Sequence, residues 1–311
     1  MIYRDRNGKE ISGNKEQNRL LERLCGCAAG RFLLRLLARP RISRMAGAIM
    51  DTRVSSLAVS LFVKKYHICL EECEKQSFSS WNDFFCRKLR QGSRPVSTET
   101  DVVVSPCDGK LTVYEINEKL RISLKGRTYS LESLLKNTRL AARYAGGLLF
   151  VFRLTVDDCH RYCYIAGGKK SANVHIPGVF HSVNPHVTSY FPVYHENTRE
   201  YSLLHTRALG TVLMAEVGAM MVGRIVNHHG AARVKKGEEK GYFALGGSTV
   251  ILGFEKDRVT PDADILKNSA EAVETIVRQG ERVGVRLSAA PPMSASGTAS
   301  PCTLSPTPGR V

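Results

Sequence analysis

The sequence has little of what builds a disulfide scaffold, a membrane span or an acidic surface. Its nine cysteines, Cys25, Cys27, Cys69, Cys73, Cys86, Cys107, Cys159, Cys163 and Cys302, are odd in number and form no repeated CxxC pairing. That disfavours a disulfide framework or a zinc ribbon and leaves reduced thiols that bury like small apolar residues. Tryptophan occurs once, at Trp81. No window offers the ~20 uninterrupted apolar residues of a spanning helix. The opening MIYRDRNGKE is charged where a secretory signal is apolar. Acidic residues are scarce: 29 Asp+Glu against 45 Lys+Arg give a formal net charge of +16. Such a balance suits polyanionic surroundings, either nucleic acid or an anionic bilayer. No zinc finger, RNA-binding signature or aromatic stacking run is present, so nucleic acid is not an expected partner. No metal site is expected either.

What is present changes texture along the chain. Residues 1–13 read as a short polar hairpin or arm. Residues 14–92 read as helical: Leu20, Leu21, Leu24, Ala28, Phe32, Leu33, Leu36 and Leu37 recur at three- and four-residue spacing. Arg19, Arg23, Arg31, Arg35 and Arg39 interleave with them, and Pro40 ends or kinks the helix. Basic residues beside a leucine face suit a helix lying in a membrane interface. An amphipathic helix covering its own core has the same periodicity. From about residue 101, short β-rich runs such as KLTVYEI, LLFVFRL, TVLMAEVG and STVILGFE alternate with turn signals. The expected fold is α+β, with N-terminal helices packed on a mainly antiparallel β barrel or sandwich. The expected divisions are a helical, membrane-associating region over residues 1–100, a β-rich catalytic domain over 101–287, and a disordered Ser/Pro/Ala/Gly-rich tail over 288–311. Within the β-rich part, 131–144 and 262–277 read as helical.

Four segments carry candidate chemistry. In Phe243-Ala244-Leu245-Gly246-Gly247-Ser248-Thr249, glycine leaves the carbonyl before a serine hydroxyl unshielded and permits a strained backbone. The same GGS is equally a hairpin turn. Ser105-Pro106-Cys107-Asp108-Gly109 is first of all an Asp-Gly turn. Val156-Asp157-Asp158-Cys159-His160-Arg161-Tyr162-Cys163 supplies a histidine that is a general base or a core residue. His175 to Pro185 adds His175 and His181 in a loop bounded by Pro and Gly. A glycine-punctuated hairpin between Val234 and Gly247 also suits a non-catalytic, lipoyl-like β-sandwich, but no modifiable lysine at a hairpin tip is evident.

Taken in order, and together with Asn82 to Val96 (matching FFxRxLxxGxRP) and Gly237-Glu238-Glu239-Lys240-Gly241, these motifs resemble the phosphatidylserine decarboxylase family over roughly residues 60–256. The resemblance implies a proenzyme in which Asp108 orients a histidine that deprotonates Ser248, as in a charge-relay triad. Ser248 then attacks the carbonyl of Gly247. The chain would part into residues 1–247 and 248–311, and Ser248 would become a covalent pyruvoyl group. That cofactor forms a Schiff base with phosphatidylserine and serves as electron sink for loss of CO2, giving phosphatidylethanolamine. The resemblance also implies work at the cytoplasmic face of the cell membrane as a peripheral protein, and a homodimer. A pyruvoyl enzyme acting on another amino-lipid is the nearest alternative.

The chain departs from the family's His-x-x-His pattern, because Cys163 stands where the second histidine is usual. Three assignments of the base stay open: His160 acting as both base and acid, His181 reaching into the site, or Cys163 as a thiolate. His160 is favoured, since a thiol near ~8.5 needs strong depression to act at neutral pH. Arg161 and His181 are candidates for the headgroup phosphate and carboxylate, although Arg161 also suits an ordinary ion pair.

Overall fold

The computed structural model describes residues 2–13, 15–124, 127–188, 190–219, 224–244 and 248–287. The 288–311 tail lies outside them. The helical stretch is broken into short pieces: α1 (Lys15–Gly26), α2 (Ala28–Leu37), α3 (Pro40–Met50), α4 (Leu57–Tyr66) and α5 (Trp81–Phe85). Local caps set these breaks. Cys27 Sγ accepts from Gly30 N–H at 3.3 Å to start α2. Pro40 opens α3 rather than closing α2, in the first turn where its missing N–H costs nothing. Ser80 caps α5 by accepting from Asp83 N–H at 3.1 Å.

The β-rich part is built on an eleven-stranded, open sheet, so of the barrel and sandwich alternatives the closed barrel does not form. Its centre runs Arg199–Thr206, Thr211–Gly218, Ser248–Phe254, Leu148–Leu154, Gly109–Glu115, all antiparallel. At one edge Ile2–Arg4 pairs in parallel with Glu274–Val277, so the N-terminal hairpin belongs to the sheet. Arg153 and Glu274 form a buried ion pair beneath it, and Arg153 also reaches the Tyr3 hydroxyl at 3.3 Å.

Both faces of the central strands are covered. One face presents Val212, Met214, Val250, Leu252 and Phe254 to a second small sheet, Arg224–Asn227, Glu239–Ala244 and Arg161–Cys163, through Tyr162 and Phe243. The other presents Leu213, Ala215, Val217 and Ile251 to two short helices over residues 131–142 through Leu131, Leu134, Leu135 and Ala141. That double burial is why Ser248–Phe254 reads as a continuous apolar run instead of an alternating one. The helix expected over 262–277 covers only Ala263–Ala270. Ala272 takes a left-handed φ of 56°, Val273 N–H returns to Asn268 C=O at 2.9 Å, and Glu274–Val277 leaves as a strand.

The N-terminal helices dock on the first core through Leu21, Cys25 and Leu34. Six of their other apolar residues point outward: Val54, Leu57 and Leu61 are 74%, 74% and 72% exposed, and Phe32, Met45 and Ile49 are likewise exposed. Among the described residues no single helix is long and apolar enough to cross a membrane.

Candidate active site

Ser248 opens its strand between two neighbours, lying opposite Gly218 on one side and Leu154 on the other. Residues directly opposite in an antiparallel pair share a face. Ser248, Gly218 and Glu216 therefore face the space between the large and small sheets, together with Val250. The Ser248 hydroxyl is fully buried and has no hydrogen-bond partner among the described residues. A buried polar group left unpaired costs ~1–3 kcal/mol, which marks it for explanation. The expected scissile carbonyl, that of Gly247, lies outside the described residues.

His160 follows the turn Thr155–Asp158 and is also fully buried. Its Nδ1 lies 3.0 Å from the Asp158 carbonyl oxygen. A carbonyl can only accept, so Nδ1 carries the hydrogen and Nε2 keeps its lone pair. Nε2 has no partner among the described residues. The ring lies against Phe85 at 3.9 Å. Burial, helped by the nearby Arg87 guanidinium, pushes the imidazole down to about 3, so it is neutral at physiological pH and able to accept a proton. The turn that aims it is itself anchored. Lys110 Nζ donates to both Asp158 carboxylate oxygens at 2.9 and 2.7 Å, and Arg87 donates to the carbonyls of Asp157 and Asp158 at 2.8 and 3.0 Å. On its far side the His160 carbonyl accepts from Phe243 N–H at 2.9 Å. His160 and Ser248 are thus tied into the same two stretches: Leu154 lies opposite Ser248 and six residues before His160, and Phe243 contacts His160 five residues before Ser248.

Asp108 departs from the expected triad geometry. No hydrogen bond joins its carboxylate to His160 among the described residues. Arg94 takes it in a two-pronged grip, Nε to Oδ1 at 3.0 Å and Nη2 to Oδ2 at 2.9 Å, and Gln279 N–H donates to Oδ1 at 2.8 Å. Arg94 is in turn held by Glu72 at 2.8 Å. The contact that fixes the histidine tautomer comes from a main-chain carbonyl instead.

Cys163 is buried in the strand Arg161–Cys163, and its N–H is given to the Pro106 carbonyl at 2.8 Å. Burial pushes its thiol up to about 12, so it stays protonated at neutral pH. Its chemistry is that of a packed thiol, opposite to the depressed thiolate that a base would need. His181 sits in a separate cluster. It stacks on Phe191 at 4.7 Å, and its Nε2 meets Glu196 at 2.8 Å. Its main chain is clasped by the Asn197 side chain, which also donates to the Gly218 carbonyl at 2.7 Å. It therefore stands one link from the residue opposite Ser248. Arg161 commits its donors inside the protein, to Glu239 at 2.6 Å and to the carbonyls of Cys86 and Arg87. Arg87, Arg94 and Lys110 were not singled out from the sequence. The first two are the two arginines of the FFxRxLxxGxRP pattern within Asn82–Val96, and that pattern is the signal available for them. Gln279 carried no local signal.

The two stretches bring a buried neutral imidazole and a buried serine hydroxyl, the latter following a glycine pair in the sequence, into one region between the sheets, residue types that suit proton abstraction from serine and attack on the preceding carbonyl. A family model described as phosphatidylserine decarboxylase matches residues 81–285. The phosphatidylserine decarboxylase proenzyme 2 of Clostridium acetobutylicum is 41% identical over 283 residues, 90% of this chain and 97% of that protein. The proenzyme of Clostridium novyi is 41% identical over 261 residues, 82% of this chain and 88% of that protein. The one of Ruminiclostridium cellulolyticum is 39% identical over 272 residues, 86% and 91% of the two chains. The buried Ser248–His160 arrangement and this breadth of similarity meet in one conclusion: the chain belongs to the phosphatidylserine decarboxylase family.

Proposed function

We propose that this chain is the proenzyme of a phosphatidylserine decarboxylase, which cuts itself between Gly247 and Ser248. The observation that carries the reading is that Ser248 Oγ and His160 Nε2 are both buried without a hydrogen-bond partner among the described residues. His160 Nε2 takes the hydroxyl proton, and Ser248 Oγ attacks the Gly247 carbonyl. As the peptide C–N bond breaks, the imidazolium returns its proton to the Ser248 nitrogen and the acyl group passes to oxygen. Loss of the Ser248 Cα proton then expels residues 1–247 as a Gly247 carboxylate with cleavage of the Cβ–O bond, and water adds to the dehydroalanine left at position 248 as its nitrogen departs as ammonia, giving the pyruvoyl ketone. An imidazole whose neutral form is so strongly favoured takes up a proton only transiently and is then a strong acid, which suits the return step.

The residues present fit a pyruvoyl group derived from Ser248, since that side chain is buried and has no competing hydrogen bond among the described residues. When formed, the group supplies an electron sink for the electrons left by departing CO2. His160 remains the proton carrier beside it. Asp108 acts as a positioning residue: through Arg94 and Gln279 it joins a residue before the cut to one after it.

The protein works at a bilayer surface, from the cytoplasmic side. The outward Phe32, Met45, Ile49, Val54, Leu57 and Leu61 offer an apolar face with Arg31, Arg39, Arg41 and Arg53 nearby in the chain. Each basic residue near an anionic surface contributes ~1 kcal/mol. Mass spectrometry of purified protein tests the maturation. Two chains, 1–247 and 248–311, are expected, with release of phosphatidylethanolamine from phosphatidylserine vesicles, and neither with Ser248→Ala. An intact wild-type chain retaining Ser248 would overturn the proposal.

A further inference from the structure

A second polar centre lies between the two sheets, one step along from Ser248. Glu216 and Lys240 are both fully buried and form an ion pair at 2.8 Å. Glu216 lies opposite Val250 and Ser248 opposite Gly218, so Glu216 is the diagonal same-face neighbour of Ser248 across a position that has no side chain. Lys240 gives a second N–H to Asn227 Oδ1 at 2.7 Å, and Asn227 Nδ2 touches Glu216 Oε2 at 3.3 Å. The other carboxylate oxygen, Glu216 Oε1, is buried without a partner among the described residues.

A sealed ion pair is a poor way to hold two sheets together. A well-packed apolar pair of the same volume is often as stable or more so, and a half-satisfied carboxylate is worse still. The pair is also linked to solvent. Asn227 Nδ2 donates to Glu200 at 2.8 Å, and Glu200 faces His175 at 3.3 Å. These three, with Arg224, line an open polar pocket of about 390 Å³. Arg224 stands opposite Ala244, four residues before Ser248.

We propose that Glu216 and Lys240 are the receptor for the amino-acid part of the lipid headgroup, reached from the polar pocket at Arg224. An acid with one spare acceptor beside a base with one spare donor is the complement of an ammonium beside a carboxylate. Glu216 Oε1 takes the substrate ammonium, Lys240 takes the carboxylate, and Arg224 meets the phosphate at the pocket. The reading rests on the proposed function and adds what selects a serine headgroup.

The test reads binding, not turnover. Self-cleaved protein is reduced with borohydride, so that no ketone remains to react, and is titrated calorimetrically with glycerophosphoserine, glycerophosphoethanolamine and glycerol phosphate. Glycerophosphoserine is expected to bind most tightly. Glu216→Gln should weaken both amine-bearing ligands at least tenfold. Lys240→Met should weaken glycerophosphoserine alone. The double change Glu216→Leu with Lys240→Met leaves no unpaired charge. It should still self-cleave, since maturation handles no headgroup, and should bind glycerophosphoserine no better than glycerol phosphate. Undiminished glycerophosphoserine affinity in the double variant would overturn the assignment. So would equal binding of all three ligands to the parent protein, or a double variant that fails to self-cleave. Absence of self-cleavage in the parent protein would instead strike the proposed function.

Discussion

Burial of His160 as a neutral imidazole has a consequence for stability that can be measured without any catalysis. In the unfolded chain a histidine titrates near ~6.5. In the folded protein it titrates at about 3. Above ~6.5 neither state is protonated and the residue leaves stability unchanged with pH. As pH falls below that value, the unfolded chain binds a proton that the folded one refuses, so stability is lost progressively down to about pH 3. At 1.36 kcal/mol per unit, the loss at pH 5 is ~2 kcal/mol, or roughly 4–8 °C in Tm for a domain approaching this size. Ser248→Ala holds the chain uncut for the measurement. His160→Gln in that background fills similar space and can still donate to the Asp158 carbonyl, but cannot titrate. Urea unfolding at pH 7.5 and pH 5 should show the His160 protein losing ~2 kcal/mol more than the His160→Gln protein. His181 and His195, also lowered by burial, are common to both and cancel in the comparison. Parallel losses within about 0.5 kcal/mol would refute a buried neutral imidazole and, with it, the base assignment.

Other outcomes follow from the same contacts. Cys163→Ser should self-cleave within about threefold of the parent rate, because a thiol held near 12 carries no base function; a hundredfold slower appearance of the two chains on gels would restore the thiolate. Arg94→Met strips the buried Asp108 carboxylate of its two-pronged partner and should cost about 3 kcal/mol in urea unfolding, with Arg94→Lys intermediate because one point donor replaces the fork. Leu57→Asp with Leu61→Asp removes apolar side chains worth ~1.5–3 kcal/mol each on burial, and should lower co-sedimentation with phosphatidylserine vesicles at least tenfold while self-cleavage continues. Equal sedimentation would place the bilayer contact elsewhere.

The parts of the fold legible in the sequence are those written locally. Ser248–Phe254 and Leu148–Leu154 are dense apolar runs because both faces of each strand are covered, and the Ser80 cap precedes a helix of a single turn or so. The pairing of Ile2–Arg4 with Glu274–Val277 has no such trace. It joins segments about 270 residues apart through two residue pairs in register, Tyr3 with Glu274 and Arg4 with Thr275, and a buried Arg153–Glu274 pair, none of which alters local periodicity. The same divide runs through the site. Ser248 and His160 sit in motifs whose residue types announce chemistry. What aims His160 is the Asp158 carbonyl, and a main-chain atom leaves no mark on a sequence. Asp108 has the residue type of an orienting acid, yet its partner is decided by Arg94 reaching across from another segment. The pairing of Glu216 with Lys240 leaves no trace for a related reason. Glu216 is the lone charge in the strand Thr211–Gly218, which alone reads as a solvent-facing position, and Lys240 stands beside Glu239 in the Gly237–Gly241 motif, which reads as a polar turn. Only the stacking of the small sheet on the large one turns the two into a buried pair beside Ser248. Where charge is buried, therefore, the sequence names the groups and the tertiary pairing decides which of them meet, and the proposed base of this site rests on burial and tautomer as much as on residue type.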